Sequence, residues 1–191
     1  MTDQKIIKEI TALLEDISCQ TQEFARTTGL RCRSGCGHCC ENPQVETTVT
    51  EMLPLAVDLW AKGEAEQALA AIAKTQAQGT CIFYKPDPFI AGNGRCSIYA
   101  HRPGVCRSFG FSTQTDKYGK AKLVTCSIIK NAQPDQCSAA QKTLDAGAKA
   151  PLISGFAFKV FNIDPIRGKE LLPINKAALL ALEHVGMALD I

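Results

Sequence analysis

Charge of one sign is in short supply in this 191-residue chain. Its 21 lysines and arginines stand against 19 aspartates and glutamates, a formal net charge of +2. So weak a field draws the chain neither to nucleic acid nor to an anionic membrane surface. Aromatic residues are scarce too, at 6%, and do not join the basic residues into a stacking platform, so a nucleic-acid partner is not expected. No uninterrupted apolar run reaches membrane-spanning length, and no membrane partner is expected. The opening "MTDQKIIKEITALLEDI" mixes charge with apolar residues at helical spacing, which suits neither a secretory core nor a transit peptide. Phosphate loops, dinucleotide-binding glycine fingerprints and nucleophile elbows are absent, and no carboxylate spacing argues for an acid–base pair. Repeats and low-complexity tracts are missing as well. A cytoplasmic protein folded as a single domain over 1–191 is the expectation.

Cysteine is the one residue in excess. Ten occur, at 19, 32, 36, 39, 40, 81, 96, 106, 126 and 137. In a reducing compartment clustered thiols stay free, and free thiols at chelate spacing act as metal ligands. Cys36 and Cys39 are separated by two residues, so one tight turn can bring both sulfurs to an ion about 2.3 Å away. Gly35 and Gly37 supply the backbone freedom for that turn. Cys39 and Cys40 are adjacent, too close for a relaxed disulfide, and their side chains point apart. They serve two metal centres, or one ligates and the other is spare. Cys19 and Cys137 fall on helices and read as packing residues. Thiolates select zinc, copper(I) or iron–sulfur over calcium and magnesium. Cys32, Cys36 and Cys39 also have the spacing of radical S-adenosylmethionine enzymes, but the chain is short and lacks the alternating strands and helices of that barrel.

The expected fold is α+β and mainly helical, with helices around a small β-hairpin, cysteine-rich centre. Ile6, Ile10, Leu13, Ile17 and Phe24 recur at helical spacing, predicting a helix over 3–28 that ends at Gly29. Thr50 is the expected cap of a helix that carries Pro54 in its first turn and stops at Gly63. A third helix is expected to end at Gly79. "CIFY" reads as a strand, "FIAGNGRCSIY" as a hairpin turning at Gly-Asn-Gly, and Phe109–Cys126 as a second hairpin turning near "DKYGK". Pro134 opens a helix to about Lys149, and a C-terminal extension over 134–191 ends in another. The stretch 151–173 is ambiguous between helix and strand.

Six of the seven arginines, Arg26, Arg31, Arg33, Arg95, Arg102 and Arg107, lie near cysteines in sequence. Guanidinium groups can neutralise a thiolate centre and hydrogen-bond to sulfur, or bind an anionic substrate. Arg33, Arg102, Arg107 and His38 are the candidates for that supporting role. His101 is similarly placed, whereas His184 reads as an ordinary helix residue.

"CRSGCGHCC" followed by "CSIYAHRPGVCRSFG" resembles the YkgJ-type cysteine-cluster family, the CxxCxxCC zinc- or iron-chelating domain proteins. The similarity runs over the core at about 31–126, although three residues rather than two separate Cys32 from Cys36. The resemblance implies that Cys36, Cys39, Cys40, Cys81, Cys96 and Cys106 bind metal, joined by Cys32 and Cys126. It implies zinc or an iron–sulfur cluster as cofactor and a metal ion as partner, without a settled reaction. Distant similarity to flagellin lysine N-methylases keeps an iron–sulfur-dependent enzyme of methyl transfer or redox chemistry as one alternative. A metal store or chaperone is another.

Overall fold

A computed structural model of the chain describes residues 3–75, 77 and 79–189. Its elements, in order, are α1 (Asp3–Thr28), α2 (His38–Glu41), β1 (Glu46–Thr47), α3 (Val49–Ala61), α4 (Ala65–Lys74), β2 (Tyr84–Pro86), β3 (Gly94–Cys96), α5 (Gly104–Ser108), β4 (Ser112–Thr115), β5 (Ala121–Val124), α6 (Ser127–Ala132), α7 (Pro134–Asp145), α8 (Ile153–Ile163), β6 (Leu172–Pro173) and α9 (Ile174–Leu189). The strands form three separate two-stranded antiparallel ribbons, β1–β6, β2–β3 and β4–β5. The α+β, mainly helical architecture is the expected one. No helix among the described residues is long and apolar enough to cross a membrane.

The largest core lies where α3, α4 and α9 pack together, and it contains Met52, Leu53, Ile72, Ala181 and Leu182. Alanines at 177, 178 and 181 let α9 approach α3 closely, and the Trp60 indole N–H donates to the Leu182 carbonyl at 2.9 Å. Cys81 and Phe83 are buried in this core, with Cys96 and Cys106 packed against it. A second core gathers Phe24, Leu30, Ile129, Ala140 and Leu144, with Cys126 and Cys137 at its margin. α1 spans the cores: Ile6 belongs to the first, Phe24 to the second, and Ile10, Leu13 and Leu14 to a third small cluster with Val160 of α8.

The ends of the elements correct several sequence expectations. α1 covers the predicted residues, and Gly29 at φ +72° closes it through an N–H to the Ala25 carbonyl. The next helix is capped by Thr48, not Thr50. Thr48 and Glu51 form a reciprocal capping box, and the Thr50 hydroxyl instead donates to Asp164 at 3.1 Å. Pro54 then lies inside α3 rather than in its first turn. α4 stops at Lys74, short of Gly79. "CIFY" contributes only Tyr84 to a strand, because Cys81–Phe83 turn into the hairpin. Phe89 and Ile90 lie exposed in the long β2–β3 loop instead of forming a strand. The second hairpin, turning at Asp116–Lys120, is as expected. The ambiguous 151–173 stretch resolves into α8 followed by β6, and α6 and the β1–β6 ribbon carried no clear pattern in the sequence.

Candidate metal centre

The first cysteine loop is docked onto the tip of the β2–β3 hairpin. Gly37 N–H donates to the Gly92 carbonyl at 3.0 Å and Gly94 N–H to the Gly35 carbonyl at 2.8 Å, giving Cys36 a bridge to Asn93. Gly35 adopts φ +72°, so the freedom expected of it is used. Gly37 serves differently, through close approach: a side chain there would overlap the Tyr84 ring. Tyr84 in turn donates its hydroxyl to the Asn93 carbonyl at 2.8 Å, and Arg33 reaches the Asn93 side chain at 2.5 Å. The loop then enters α2, one short turn that carries Cys39 and Cys40.

Carboxamides on or beside α6, α7 and α9 hold other cysteine-bearing segments by donating to one backbone carbonyl and accepting from one backbone N–H. Asn175, buried at the start of α9, accepts from Ile82 N–H at 3.1 Å and donates to the Thr80 carbonyl at 3.0 Å, gripping both neighbours of Cys81. Gln133 accepts from Arg31 N–H at 3.1 Å and donates to the Arg31 carbonyl at 2.6 Å, which fixes the chain just before Cys32. Gln141 does the same for Leu123 and Ala121 in β5, ahead of Cys126. Cys126 caps α6, its sulfur accepting from Ile129 N–H at 3.4 Å. Cys106 rides on α5, whose first N–H, from Gly104, donates to the buried Glu51 carboxylate at 2.9 Å. Asn175, Gln133 and Glu51 were not visible in the sequence reading, because each acts on a segment more than 50 positions away.

The result is one cavity of about 780 Å³ lined by Cys32, Cys36, Cys39, Cys40, Cys81, Cys96, Cys106 and Cys126. All eight cysteines predicted as ligands therefore line a common space, while Cys19 and Cys137 do not. Among the described residues no three His, Cys, Asp or Glu side chains converge tightly enough to enclose an ion, so the arrangement is a thiol-lined chamber rather than a closed coordination sphere. Exposure grades across it: Cys81 is buried, Cys32 is exposed and the other six are intermediate.

Burial pushes the Cys81 thiol up to about 11, and it also raises Cys106, Cys96 and Cys32. Cys39 moves the other way, to about 6, because the Cys40 thiol donates a hydrogen bond to it and Arg102 lies nearby; Cys40, as the donor, is raised. Arg102 stacks 3.6 Å from the centroid of the Tyr99 ring, and its buried Nε has no hydrogen-bond partner. An unpaired guanidinium donor beside thiols fits a site that becomes anionic when thiolates form around a metal.

The other basic groups divide by employment. Arg33 and Arg95 also line the cavity. Arg107 lines it but is occupied structurally: it donates to the carbonyls of Arg102 and Ala100, both at 2.5 Å, and to Ser18 Oγ at 2.8 Å. Arg26 pairs with Glu23 at 2.6 Å on the outside of α1, and neither it nor Arg31 reaches the lining. His38 lines the cavity 3.5 Å from Glu41, whereas His101 sits 3.4 Å from Asp58 and outside it. His184 is no isolated helix residue, since it contacts Asp3 at 2.9 Å and Arg167.

Eight cysteines and Arg102 lining one chamber define a cysteine-rich, metal-chelating module. The family model described as "CxxCxxCC: Putative zinc- or iron-chelating domain" matches residues 31–127, and the chain belongs to this family. The matched span contains all eight cavity cysteines and leaves out Cys19 and Cys137. No curated protein and no solved structure matches the chain. Membership supports a metal as ligand, with zinc and iron both within the family's description.

Proposed function

We propose that this chain is a cytoplasmic metalloprotein that holds zinc or an iron–sulfur cluster through its eight clustered thiolates. The observation that carries the reading is that eight cysteines spread over 95 positions of sequence line one cavity, an arrangement that core packing does not require. Soft and borderline metals suit an all-sulfur donor set. Arg102, which lines the cavity and whose charge favours the Cys39 thiolate, supplies positive charge beside the sulfurs. A reducing cytosol keeps such thiols available.

Metal and acid-labile sulfide analysis with an ultraviolet–visible spectrum, on untagged protein purified without oxygen, tests this. Iron and sulfide in matching amounts with a brown chromophore identify an iron–sulfur protein, and colourless protein with bound zinc identifies a zinc protein. Protein that retains neither, and takes up neither on reconstitution, overturns the reading.

One observation favours an enzymatic version. At about 780 Å³ the chamber matches small-molecule sites in size and far exceeds a bare ion. It also shares Val105, Phe109 and Cys126 with an apolar cavity of about 530 Å³ under α8. A substrate could lie there beside the metal. Under this version the metal centre supports methyl transfer or redox chemistry, and calorimetry on anaerobic protein would detect S-adenosylmethionine in the methyl-transfer case. A store or chaperone would instead release its ion readily to a competing chelator.

A further inference from the structure

α8 is more apolar than its packing uses. Its sequence, ISGFAFKVFNI, holds three phenylalanines and a single charge, at Lys159. At 100° per residue its apolar side chains sweep roughly 220° of the circumference, whereas a surface helix needs an apolar stripe of only about 100° to dock. Val160 is its one buried residue, joined to Ile10, Leu13 and Leu14 of α1. Phe156 is half-buried, and Ile153, Phe158 and Phe161 are exposed.

The uncovered surface continues onto neighbouring segments. Phe109, Leu152, Ile153, Phe161 and Leu171 are exposed and border the cavity of about 530 Å³ beneath α8, and Phe158, 65% exposed, lies one turn before Phe161. Taking about 200 Å² for a fully exposed residue of this size, these six side chains present roughly 600 Å² to solvent. That is at the upper end of the apolar patches a monomer carries. A standard interface of about 800 Å² per partner is about 60% apolar, so it needs about 480 Å² of such surface. The patch is large enough to supply it.

Charges at the edge of the patch indicate the occupant. Lys169 and Glu46 both line the cavity, and neither has an ion-pair partner among the described residues. Lys159, by contrast, is already paired with Asp16 at 3.7 Å. One free charge of each sign does not suit an anionic bilayer, which selects apolar helices flanked by several basic residues. It suits a surface that meets itself. Across a two-fold axis residue i contacts residue j while j contacts i, so Lys169 of each copy can meet Glu46 of the other.

We infer that two copies of this chain associate about a two-fold axis through α8, Phe109 and Leu171, with Lys169 and Glu46 paired across the edge of the contact. The second copy covers the mouth of the apolar cavity. This association is independent of which metal the thiol chamber holds.

Sedimentation velocity on the full-length protein, purified without oxygen, is the test. Wild type is expected to pass from monomer to dimer between low-micromolar and submillimolar concentration. F158E alters a mainly exposed side chain and is expected to stay monomeric with unchanged helical circular dichroism; should it fail to fold, the charge variants still decide. K169E and E46K each act twice across the axis, so each is expected to weaken dimerisation by about tenfold. The K169E/E46K double variant is expected to restore it, a rescue that a merely structural role of either residue would not produce. Wild type that stays monomeric throughout, a folded F158E that dimerises as wild type does, or a double variant no better than the single ones would each overturn the proposal. Monomeric wild type that cosediments with phosphatidylglycerol vesicles would overturn it in favour of a membrane surface.

Discussion

Cysteine was legible because its chemistry is carried by residue type: eight positions chosen from the sequence line one chamber. What escaped were residues whose effect depends on a partner fixed only by folding. Asn175 lies 95 and 93 positions from the two backbone groups it grips around Cys81. Asn175→Ala should leave the part-buried Thr80 carbonyl and Ile82 N–H without these partners and destabilise the protein by about 1 kcal/mol in urea unfolding. It should also lower metal retention, whereas an unchanged midpoint would mean that Cys81 is held by its own packing. Gly94 is a second hidden constraint. A Cβ there would overlap the Tyr84 ring and come within 2.7 Å of the Lys85 carbonyl, next to the docked cysteine loop. Gly94→Ala is expected to cost about 1–3 kcal/mol by overpacking and to reduce bound metal per chain. Thermal unfolding and metal analysis check both effects, and full metal content at wild-type stability would show that the loop does not depend on this contact.

At the scale of elements, the long amphipathic helices and the Asp116–Lys120 hairpin were readable, because periodicity over many residues outweighs local accidents. Short elements were not. β1 has two residues and pairs with β6 across more than 120 positions, a contact no local pattern encodes. The misplaced cap on α3 has a physical reason: Thr48 and Thr50 are both cap-type residues at the head of the helix, but only Thr48 has Glu51 three positions on, to close the reciprocal box. Thr48→Ala should therefore destabilise the protein by about 1 kcal/mol. The consequence extends toward the chamber, since Glu51 also receives the Gly104 N–H at the start of the Cys106 helix. Glu51→Ala is expected to be the more damaging of the two, and denaturant midpoints rank them. The reverse order would mean that α5 does not rely on this carboxylate.

At the scale of the molecule, the start of α1 is clasped to α9 and to the segment after α8, at the end of α1 away from Gly29. Arg167 donates to Asp164 at 2.6 Å and to Asp3 at 2.8 Å, with His184 of α9 against both Asp3 and Arg167. Asp164 is buried at 3% exposure and also receives the Thr50 hydroxyl, so α1, α3, the segment after α8 and α9 meet at one guanidinium. Burial alone would raise the Asp164 carboxyl, but hydrogen bonds and charge from Arg167 outweigh it and hold it below its ordinary 3.8; Asp3 is lowered chiefly by its hydrogen bond to the same group. Carboxylates depressed in the folded state stabilise it above about pH 4, and that contribution is lost as the pH falls through their folded values. Arg167→Met leaves Asp164 buried without its cation and should cost about 3 kcal/mol near pH 6. The gap from wild type should narrow steadily as the pH falls below about 4 and through the depressed folded values of the wild-type carboxyls, because protonation removes the charge that Arg167 compensates. Urea unfolding at stepped pH measures it, and a gap independent of pH would mean that Arg167 contributes packing rather than charge. Because the clasp stands apart from the thiol chamber, its loss is expected to lower stability while leaving the metal stoichiometry of the folded protein unchanged, which separates the frame that closes the chain from the chamber it encloses.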